Sequence, residues 1–328
     1  MKTEILTLLR ERSDYVSGQD LCLRFGVSRT AVWKVIGQLK EEGYEIESVP
    51  RKGYRLLQTP DILSESELVS RMDTVWAGRN VHYLPETDST NQQAKRLAED
   101  GAPHGTLVVA DMQTAGKGRR GRSWQQKPGE AIAMSIILRP DFAPEYASML
   151  TLAAADSVAK GIEKVTGMSP MIKWPNDVIV NRRKVCGILT EMGMNLEDGS
   201  IDYVVVGIGI NVNQTEFPEE IRQIATSLRL EGGSGIQRSG LIAEVMRIFE
   251  RDYELLAEHK CLSGILEEYN ARLINKDAAV KVLDPKGEFT GISLGINERG
   301  ELLVKKEDGT VTEVYAGEVS VRGFYGYV

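Results

Sequence analysis

The sequence lacks the features of a membrane or secreted protein. It has no apolar run approaching the roughly 20 residues that a membrane-spanning helix needs. Its first residues, Met1 to Ile5, lack the basic-then-apolar order of a signal peptide. Cysteine is scarce: the chain has only Cys22, Cys186 and Cys261. Their number is odd, and their spacing is not that of metal ligands. We therefore expect a reduced, cytoplasmic protein with no membrane span.

The composition also argues against a general nucleic-acid coat. The 328 residues include 47 acidic and 40 basic side chains, for a net charge of -7. A local basic patch is compatible with that total, because only the field of one face matters for binding. No His-Cys arrangement supplies a covalent nucleophile. With 42% hydrophobic residues, the chain is long enough for two or three domains.

One segment concentrates positive charge: Gly116-Lys117-Gly118-Arg119-Arg120-Gly121-Arg122. Its letters match the dinucleotide fingerprint G-x-G-x-x-G, but that motif needs a helix after it, and the residues from Ser123 to Gly129 lack helical periodicity. No Lys-Ser or Lys-Thr pair closes a Walker A loop either. Closely spaced cations and glycines suit a mobile loop that closes over a polyanion. A solvated basic loop is the alternative.

Residues 1–60 have the pattern of a winged helix-turn-helix domain. The apolar spacing of residues 5–9 marks a first helix, and Ser17 and Ser28 are placed to cap a second and a third. Alternating residues in 44–57 predict two strands joined by a basic turn, which forms the wing.

Such a domain presents its third helix to the DNA major groove and its wing to phosphate. The residues predicted to contact DNA are polar, cationic or aromatic: Gln19, Ser28, Arg29, Thr30, Trp33, Lys34, Lys40, Arg51 and Lys52. One small module neutralises few phosphates, so a monomer should bind weakly and dimerisation would be the natural switch. Use of the same fold for protein contacts is the alternative.

Residues 61–273 mix longer helical and strand patterns. The polar residues 88–91 open a helix, either as a simple cap or as a pocket of donors and acceptors for a small polar ligand. A strand at 172–180 is interrupted by Trp-Pro-Asn-Asp, and a proline in a strand needs a bulge or an edge. Lys184 follows at a hairpin turn, where the amine is either held beside a ligand or solvated. Ser239 is expected to cap a long helix.

Two further segments, one in the middle region and one at the end of the sequence, are predicted to form strands. A strand at 203–213 has Gly207 and Gly209 on alternate positions, which indicates either close approach of a ligand to the backbone or crowding within the sheet. In residues 274–328 the periodicity drops to two over about five short strands, as is typical of a small SH3-like barrel.

Taken together, these residues resemble the bifunctional biotin protein ligases, which also act as biotin operon repressors. The resemblance covers essentially the whole chain, in the order winged helix, mixed α/β ligase core with a class II synthetase-like sheet, and small barrel. The motifs that carry it are Asp88-Ser89-Thr90-Asn91, Gly116-Lys117-Gly118-Arg119-Arg120-Gly121-Arg122, Lys173-Trp174-Pro175-Asn176-Asp177, Lys184 with Gly187-Ile188-Leu189, and Gly207-Ile208-Gly209-Ile210-Asn211. The lysine at position 117, where the family has arginine, keeps the charge but loses the planar fork.

The resemblance implies a two-step reaction. Biotin and Mg-ATP give biotinyl-5'-AMP and pyrophosphate, and a lysine of the biotin carboxyl carrier protein then takes the biotinyl group and releases AMP. The implied catalytic residues are Lys184, Arg119 and Lys173, with Asp177 as a Mg2+ contact. The implied biotin- and adenylate-binding residues are Ser89, Thr90, Asn91, Gln113, Lys117, Gly118, Arg119, Lys184, Gly187, Gly207, Gly209 and Asn211.

The resemblance also implies regulation. Biotinyl-5'-AMP would act as corepressor by ordering the glycine-rich loop and favouring a homodimer whose winged helices span two operator half-sites. One sheet edge would serve either the homodimer or the carrier protein. Two rival classes stay open: a non-enzymatic, ligand-sensing transcription factor, and a lipoyl ligase, in which the winged helix has no explanation.

Overall fold

The computed structural model describes residues 1–124, 126–195, 197–284, 287–316 and 320–323. Its N-terminal region consists of helices followed by a two-stranded antiparallel ribbon. These elements are α1 (Lys2–Glu11), α2 (Gly18–Phe25), α3 (Arg29–Glu41), β1 (Glu45–Val49) and β2 (Gly53–Gln58).

The predicted helix caps explain where the N-terminal helices begin. The Ser17 hydroxyl oxygen accepts from the Asp20 N–H at 3.0 Å, and that of Ser28 accepts from the Ala31 N–H at 3.2 Å. Gly26 ends α2 at φ 63°, a left-handed conformation that glycine adopts readily. The apolar faces of the helices and the ribbon form a core of their own. The predicted helix-turn-helix is therefore confirmed.

The central region is built on a seven-stranded mixed sheet. The strands of this region are β3 (Val81–Thr87), β4 (Leu107–Gln113), β5 (Gly116–Lys117), β6 (Ser123–Trp124), β7 (Ala131–Leu138), β8 (Met171–Lys173), β9 (Asp177–Val180), β10 (Arg183–Met194) and β11 (Ile201–Asn211). The order across the large sheet is β3-β4-β7-β11-β10-β9-β8, in which β3 and β4 are parallel and the other pairs are antiparallel. Strands β5 and β6 form a separate small hairpin.

Helices cover both faces of the large sheet. They are α4 (Glu65–Val69), α5 (Thr90–Glu99), α6 (Ala147–Thr166), α7 (Leu228–Gly232), α8 (Arg238–His259) and α9 (Leu266–Arg272). Helices α6 and α8 belong to the main apolar core, whereas α5 packs on the other face through a smaller cluster. Gly161 lets α6 approach α8 closely, because an added Cβ there would lie 2.7 Å from Val245 Cγ2.

Two local predictions change in the structure. The segment 172–180 is a hairpin of β8 and β9 rather than one broken strand, and Pro175 lies in its turn after a cis Trp174–Pro175 bond. The long helix α8 begins at Arg238 with Gln237 as its N-cap residue, so the prediction that Ser239 caps it is wrong. The Ser239 hydroxyl bonds a distant carboxylate instead.

The C-terminal region forms one five-stranded antiparallel sheet. Its strands are β12 (Ala279–Leu283), β13 (Phe289–Ile296), β14 (Leu302–Lys305), β15 (Val311–Val314) and β16 (Ser320–Gly323). The order is β15-β14-β13-β12-β16, so within the described residues the outer strands do not pair and the expected closed barrel is not formed. Buried residues of this sheet, such as Val280 and Leu302, join the core of the central region. Across the described ranges, no helix is long and apolar enough to cross a membrane.

Candidate active site

The floor of the candidate site is a trough of small residues on the sheet face that carries α5. Gly187 of β10 stands between Asp177 of β9 and Gly209 of β11. Ala133 of β7 continues this row beyond Gly209. Gly207 faces the same way as Gly209, because side chains alternate along a strand. Antiparallel register thus collects residues far apart in sequence into one patch.

Helix α5 begins over this trough. Its N-cap residue, Ser89, is 4% exposed and makes no side-chain cap bond. The N–H and the hydroxyl of Thr90 both donate to Gln113 Oε1, at 2.8 and 3.1 Å. The Ser135 hydroxyl donates to Asn91 Oδ1 at 2.6 Å. These bonds fix the polar start of α5 against β4 and β7.

Side chains of the protein occupy the space above the two glycines of β11. A Cβ added at Gly207 would lie 2.0 Å from Asn91 Oδ1, and one added at Gly209 would lie 2.6 Å from the Trp124 ring. The crowded-sheet interpretation of these glycines therefore applies in this structure. A ligand that lies against Gly209 has to displace the indole of Trp124.

The basic segment folds as a hairpin beside the trough rather than as an irregular loop. Strand β5 pairs with β6, and a 3-10 turn from Arg119 to Gly121 joins them. Strand β6 follows this turn directly, which excludes the dinucleotide fingerprint. Arg119 Nη1 donates to Asn176 Oδ1 at 2.7 Å. Burial lowers the pKa of Arg119 from its ordinary value, so an anion nearby would stabilise its charge.

Two lysines flank the carboxylate of Asp177. Lys184 Nζ lies 2.6 Å from Asp177 Oδ1, and it packs so closely on Gly187 that an added Cβ there would lie 2.9 Å from Nζ. Lys173 is 6% exposed, and burial lowers its pKa to about 8 although the charge of Asp177 opposes the shift. With Arg119 nearby, positive charge exceeds negative charge here, which suits an anionic ligand.

These elements line a single pocket. The predicted binding residues that line it are Ser89, Thr90, Asn91, Gln113, Lys117, Gly118, Arg119, Lys184, Gly187, Gly207 and Gly209. The other lining residues are Trp124 and Ala133, which the sequence analysis did not name, and Asn176, Ile188, Leu189 and Ile208, which it named only as members of motifs. Asn176 stands inside a motif already recognised, and Trp124 follows the basic run by two positions, so both could have been suspected.

Three of the predicted site residues, Asn211, Lys173 and Asp177, are outside this lining. Asn211 is buried, and its side-chain amide donates to Thr226 O at 3.1 Å while its Oδ1 accepts from Gln214 Nε2 at 3.0 Å. It therefore supports the end of β11. Lys173 pairs in register with Asp177 across β8 and β9, and it acts on the pocket through its charge.

The pocket is small and opens into a larger cleft. Its free volume is about 50 Å³, whereas the cleft has about 640 Å³ and shares Arg119 and Asn176 with it. Arg299 and Tyr315 of the C-terminal region line the cleft as well. Small-molecule sites are usually about 300–1,000 Å³. A ligand therefore needs the cleft, or a movement of Trp124, to fit.

The site offers few ligands for a metal ion. Among the described residues, no group of three or more His, Cys, Asp or Glu side chains is arranged to hold a metal ion. Asp177 Oδ1 accepts from Lys184 and, at 3.2 Å, from Asn176 Nδ2. Protein-bound Mg2+ often has only one or two carboxylate ligands and takes the rest from phosphates and water. A single carboxylate of this kind is enough for Mg2+ that is carried by a triphosphate.

All the residues predicted to contact DNA are exposed on the helix-turn-helix region. Trp33 is 69% exposed. Lys40 Nζ donates to Ser48 Oγ at 3.0 Å, and Lys52 Nζ lies 5.5 Å above the Tyr15 ring. The third helix and the ribbon turn thus present cations and a large aromatic side chain to the solvent.

Comparison with known proteins gives three family matches and several relatives. The Biotin/lipoate A/B protein ligase family matches residues 83–211, an HTH domain matches 2–55, and the Biotin protein ligase C terminal domain matches 278–322. The Bifunctional ligase/repressor BirA of Bacillus spizizenii is 43% identical over 94% of this chain and 94% of its own length. That of Escherichia coli is 31% identical over 97% and 96%.

A solved structure is similar in fold as well. The biotin protein ligase from Aquifex aeolicus in complex with biotin and ATP has a TM-score of 0.65 and 34% sequence identity, and the match covers 75% of this chain and 99% of that one. Identity above 30% over nearly the full length of the bifunctional relatives is decisive. The chain belongs to the biotin protein ligase family.

Proposed function

We propose that this protein activates biotin with ATP to biotinyl-5'-AMP, transfers biotin to a lysine of the biotin carboxyl carrier protein, and represses transcription when the adenylate is bound. The observation that carries the ligase proposal is the convergence of Lys184, Arg119 and the polar start of α5 on one trough. One ligand in that trough would contact all three. The names of the relatives and the biotin and ATP in the Aquifex structure support the choice of substrates.

The two ends of the trough suit the two ends of biotin. The Ser89 hydroxyl, Thr90 and Gln113 supply donors and acceptors that complement the N–H and carbonyl groups of a ureido ring. The apolar tail lies along the strand from Gly207 to Gly209, beside the Asn91 side chain that covers Gly207, where it needs contact rather than hydrogen bonds. The carboxylate at the end of the tail then reaches Lys184 and Arg119. Trp124 leaves its place on Gly209 to admit the ligand.

The first step joins two anions. A biotin carboxylate oxygen attacks the α-phosphorus of ATP, the bond from that phosphorus to the bridging oxygen breaks, and pyrophosphate leaves. Fixed cations offset this repulsion, and Lys184 and Arg119 hold the carboxylate and the α-phosphate together. The positive charge of Lys173, next to Asp177, adds to the stabilisation of both anions. Mg2+, when bound, supplies further neutralisation of the phosphate oxygens, with Asp177 as its protein contact.

The second step needs no nucleophile from the enzyme. The neutral amine of the carrier lysine attacks the acyl carbon of the mixed anhydride, and the bond from that carbon to the AMP oxygen breaks. AMP leaves, an amide forms, and the amine releases one proton to solvent. The large cleft beside the pocket gives the carrier lysine access to the acyl group.

We further propose that the N-terminal region works as a winged helix. Helix α3 places Arg29, Thr30 and Lys34 in a major groove, and the β1–β2 turn brings Arg51 and Lys52 to phosphates. Two such domains in a dimer span two half-sites, and the similarity to named repressors supports DNA as the partner.

The edge of β10 is the surface we propose for partners. Strand β9 pairs with β10 only as far as Gly187, so residues 188–194 have β11 on one side and no strand of the described chain on the other. Met192 and Met194 are 46% and 41% exposed along this edge. An open edge can accept a strand from another chain. A second copy and the carrier protein would therefore compete for it.

The test is transfer of labelled biotin to a carrier domain, run beside biotin-dependent pyrophosphate exchange and operator binding. We expect exchange and transfer with biotin, and operator affinity that rises when biotin and ATP are added together. Exchange with lipoate instead of biotin would identify a lipoyl ligase. Biotin-dependent operator binding without any exchange would identify a ligand-sensing transcription factor.

A further inference from the structure

A buried carboxylate joins the helix-turn-helix region to the ligase core. Glu67, on α4, is 0% exposed. Its Oε2 accepts from the Tyr44 hydroxyl at 2.5 Å and from Arg10 Nη2, which both belong to the helix-turn-helix region. Its Oε1 accepts from Arg71 Nε at 2.6 Å and from the Ser239 hydroxyl at 2.7 Å, on the core side. One oxygen thus serves each region.

The charges around Glu67 keep it ionised. Burial by itself would raise the pKa of Glu67, but the positive charges of Arg10 and Arg71 outweigh burial and the pKa is lowered. Burial lowers the pKa of Arg10 in turn. Removing one member of such a cluster leaves a buried charge without its partner, which is strongly unfavourable. Glu67 therefore favours one orientation of the helix-turn-helix region on the core.

The first turn of α8 holds the chain segment between the two regions. The turn contains Ser239 and is preceded by the N-cap residue Gln237, whose Nε2 donates to Thr59 O at 3.2 Å. It also contains Arg238, which is 1% exposed and donates its N–H to Asp61 Oδ1 at 2.9 Å and its Nε to Asp61 Oδ2 at 3.1 Å. We call these three residues, 237–239, the α8 first turn.

The α8 first turn also reaches the ligand pocket. Arg238 Nη1 pairs with the carboxylate of Asp111 on β4 and donates to Ala131 O at 3.2 Å. The backbone oxygen of Asp111 accepts from Gln126 Nε2 at 3.0 Å. The Trp124 Nε1–H donates to Gln126 Oε1 at 3.2 Å. A continuous chain of polar contacts therefore runs from the indole in the pocket to Arg238.

We propose that the α8 first turn couples the pocket to the placement of the helix-turn-helix region. Arg238 is the positioning residue on the pocket side. On the other side, Glu67 holds the helix-turn-helix region against the core, and we call it the pin. The inference rests on the proposed function, in which Trp124 moves when ligand binds. Movement of Trp124 disturbs Gln126 and Asp111, and with them the ion pair between Asp111 and Arg238. Arg238 passes this change to Asp61, in the chain segment between the two regions.

The contacts of Glu67 and Arg238 have a large effect on the orientation of the helix-turn-helix region, because the two regions meet beside an open cleft. A cleft of about 710 Å³ lies beside these contacts, between α1 and β2 on one side and α8 on the other. Polar contacts next to an open cleft resemble a transient interface, across which neighbouring domains readily move. Loss of one pin therefore frees the helix-turn-helix region to take several orientations.

The experiment measures the distance between the two regions in the full chain. Nitroxide labels on Glu41→Cys and Glu258→Cys, at exposed positions on α3 and α8, report that distance by pulsed dipolar EPR. The background carries Cys22→Ser and Cys261→Ser, so that only the introduced cysteines are accessible. Biotin plus ATP is the probe, and pyrophosphate exchange is measured on the same sample. We expect a narrow distance distribution that shifts when the probe is added.

Three variants separate the two roles. Glu67→Gln keeps the shape of the side chain, and we expect it to broaden the distribution with and without probe while the exchange rate stays unchanged. Arg238→Gln should lose the probe-dependent shift, with Asp61→Asn as its substitute if it fails to fold. Glu250→Gln is the matched control, because Glu250 is a buried carboxylate of α8 that accepts backbone N–H bonds within the core, such as that of Trp76 at 2.6 Å.

The outcomes distinguish this inference from the proposed function. An unshifted distance in a chain that performs exchange refutes the coupling, and a shift retained in Arg238→Gln refutes the role of Arg238. A Glu67→Gln distribution as narrow as that of the unmodified chain refutes the pin. Absence of exchange refutes the proposed function and with it the coupling, whereas the pin is still decided by the probe-free comparison.

Discussion

Replacing Lys173 with methionine should stabilise the fold while it damages the active site. The lysine is 6% exposed, and burial lowers its pKa to about 8 from an ordinary value of 10.5. At about 1.4 kcal/mol per pKa unit, holding this side chain charged at pH 7 costs about 3 kcal/mol. Methionine has a similar length and no charge, so Lys173→Met should raise the free energy of unfolding at pH 7 by up to about 3 kcal/mol.

The pH dependence of this gain follows from proton linkage. Between pH 8 and 10.5, the unfolded chain keeps the Lys173 proton and the folded chain releases it, so the stability of the unmodified chain rises with pH across that window. The advantage of Lys173→Met is therefore largest below pH 8 and disappears as the pH approaches 10.5. Pyrophosphate exchange should fall in the same variant, because a cation behind the reacting groups is lost.

Urea unfolding at pH 7 and at pH 10, followed by fluorescence, measures the gain. Lys164→Met, at an exposed position of α6, is the control and should change stability by less than about 0.5 kcal/mol. A loss of stability in Lys173→Met at pH 7, or a gain of the same size at both pH values, would show that burial does not disfavour the charged form of Lys173 in the folded chain.

The remaining predictions concern the pocket and the DNA surface. Lys184→Ala removes the ammonium beside Asp177 and should lower biotin-dependent pyrophosphate exchange by about 100- to 1,000-fold; near-normal exchange would contradict its role. Arg119→Gly should release the adenylate early and label bystander lysines, whereas labelling confined to the carrier would contradict a covering role for the hairpin. Biotin should change the fluorescence of the chain, and the change should be lost in Trp124→Phe; if it persists, Trp124 does not move. Lys34→Ala should weaken operator binding and leave exchange intact, and equal binding would remove Lys34 from the DNA surface.

Local features of this protein could be predicted from its sequence. The caps at Ser17 and Ser28 and the turn at Gly26 depend on neighbours within a few residues, so the helix-turn-helix followed from the pattern alone. The chemistry available to the site was also readable, because cationic, polar and glycine motifs stand out by residue type. Most of the residues singled out in this way do line one pocket.

The N-cap prediction for Ser239 failed because the partner of its hydroxyl is distant in sequence. A serine near a helix start is ordinarily a cap. In the folded chain its hydroxyl instead bonds Glu67, which lies 172 positions earlier in the sequence. No nearby residue could indicate that partner, because the contact forms only when α4 packs beside α8.

The sequence by itself determined which elements form and which chemical groups they carry, since caps, turns and hydrophobic periodicity act over short distances. Tertiary structure alone decided which groups meet. Strand register brought Gly187 between Asp177 and Gly209, and the return of the hairpin laid Trp124 over that row. Burial, which depends on the whole fold, then turned Lys173 from an ordinary cation into one with a pKa of about 8. These outcomes depend on packing between distant segments, and no local pattern encodes it.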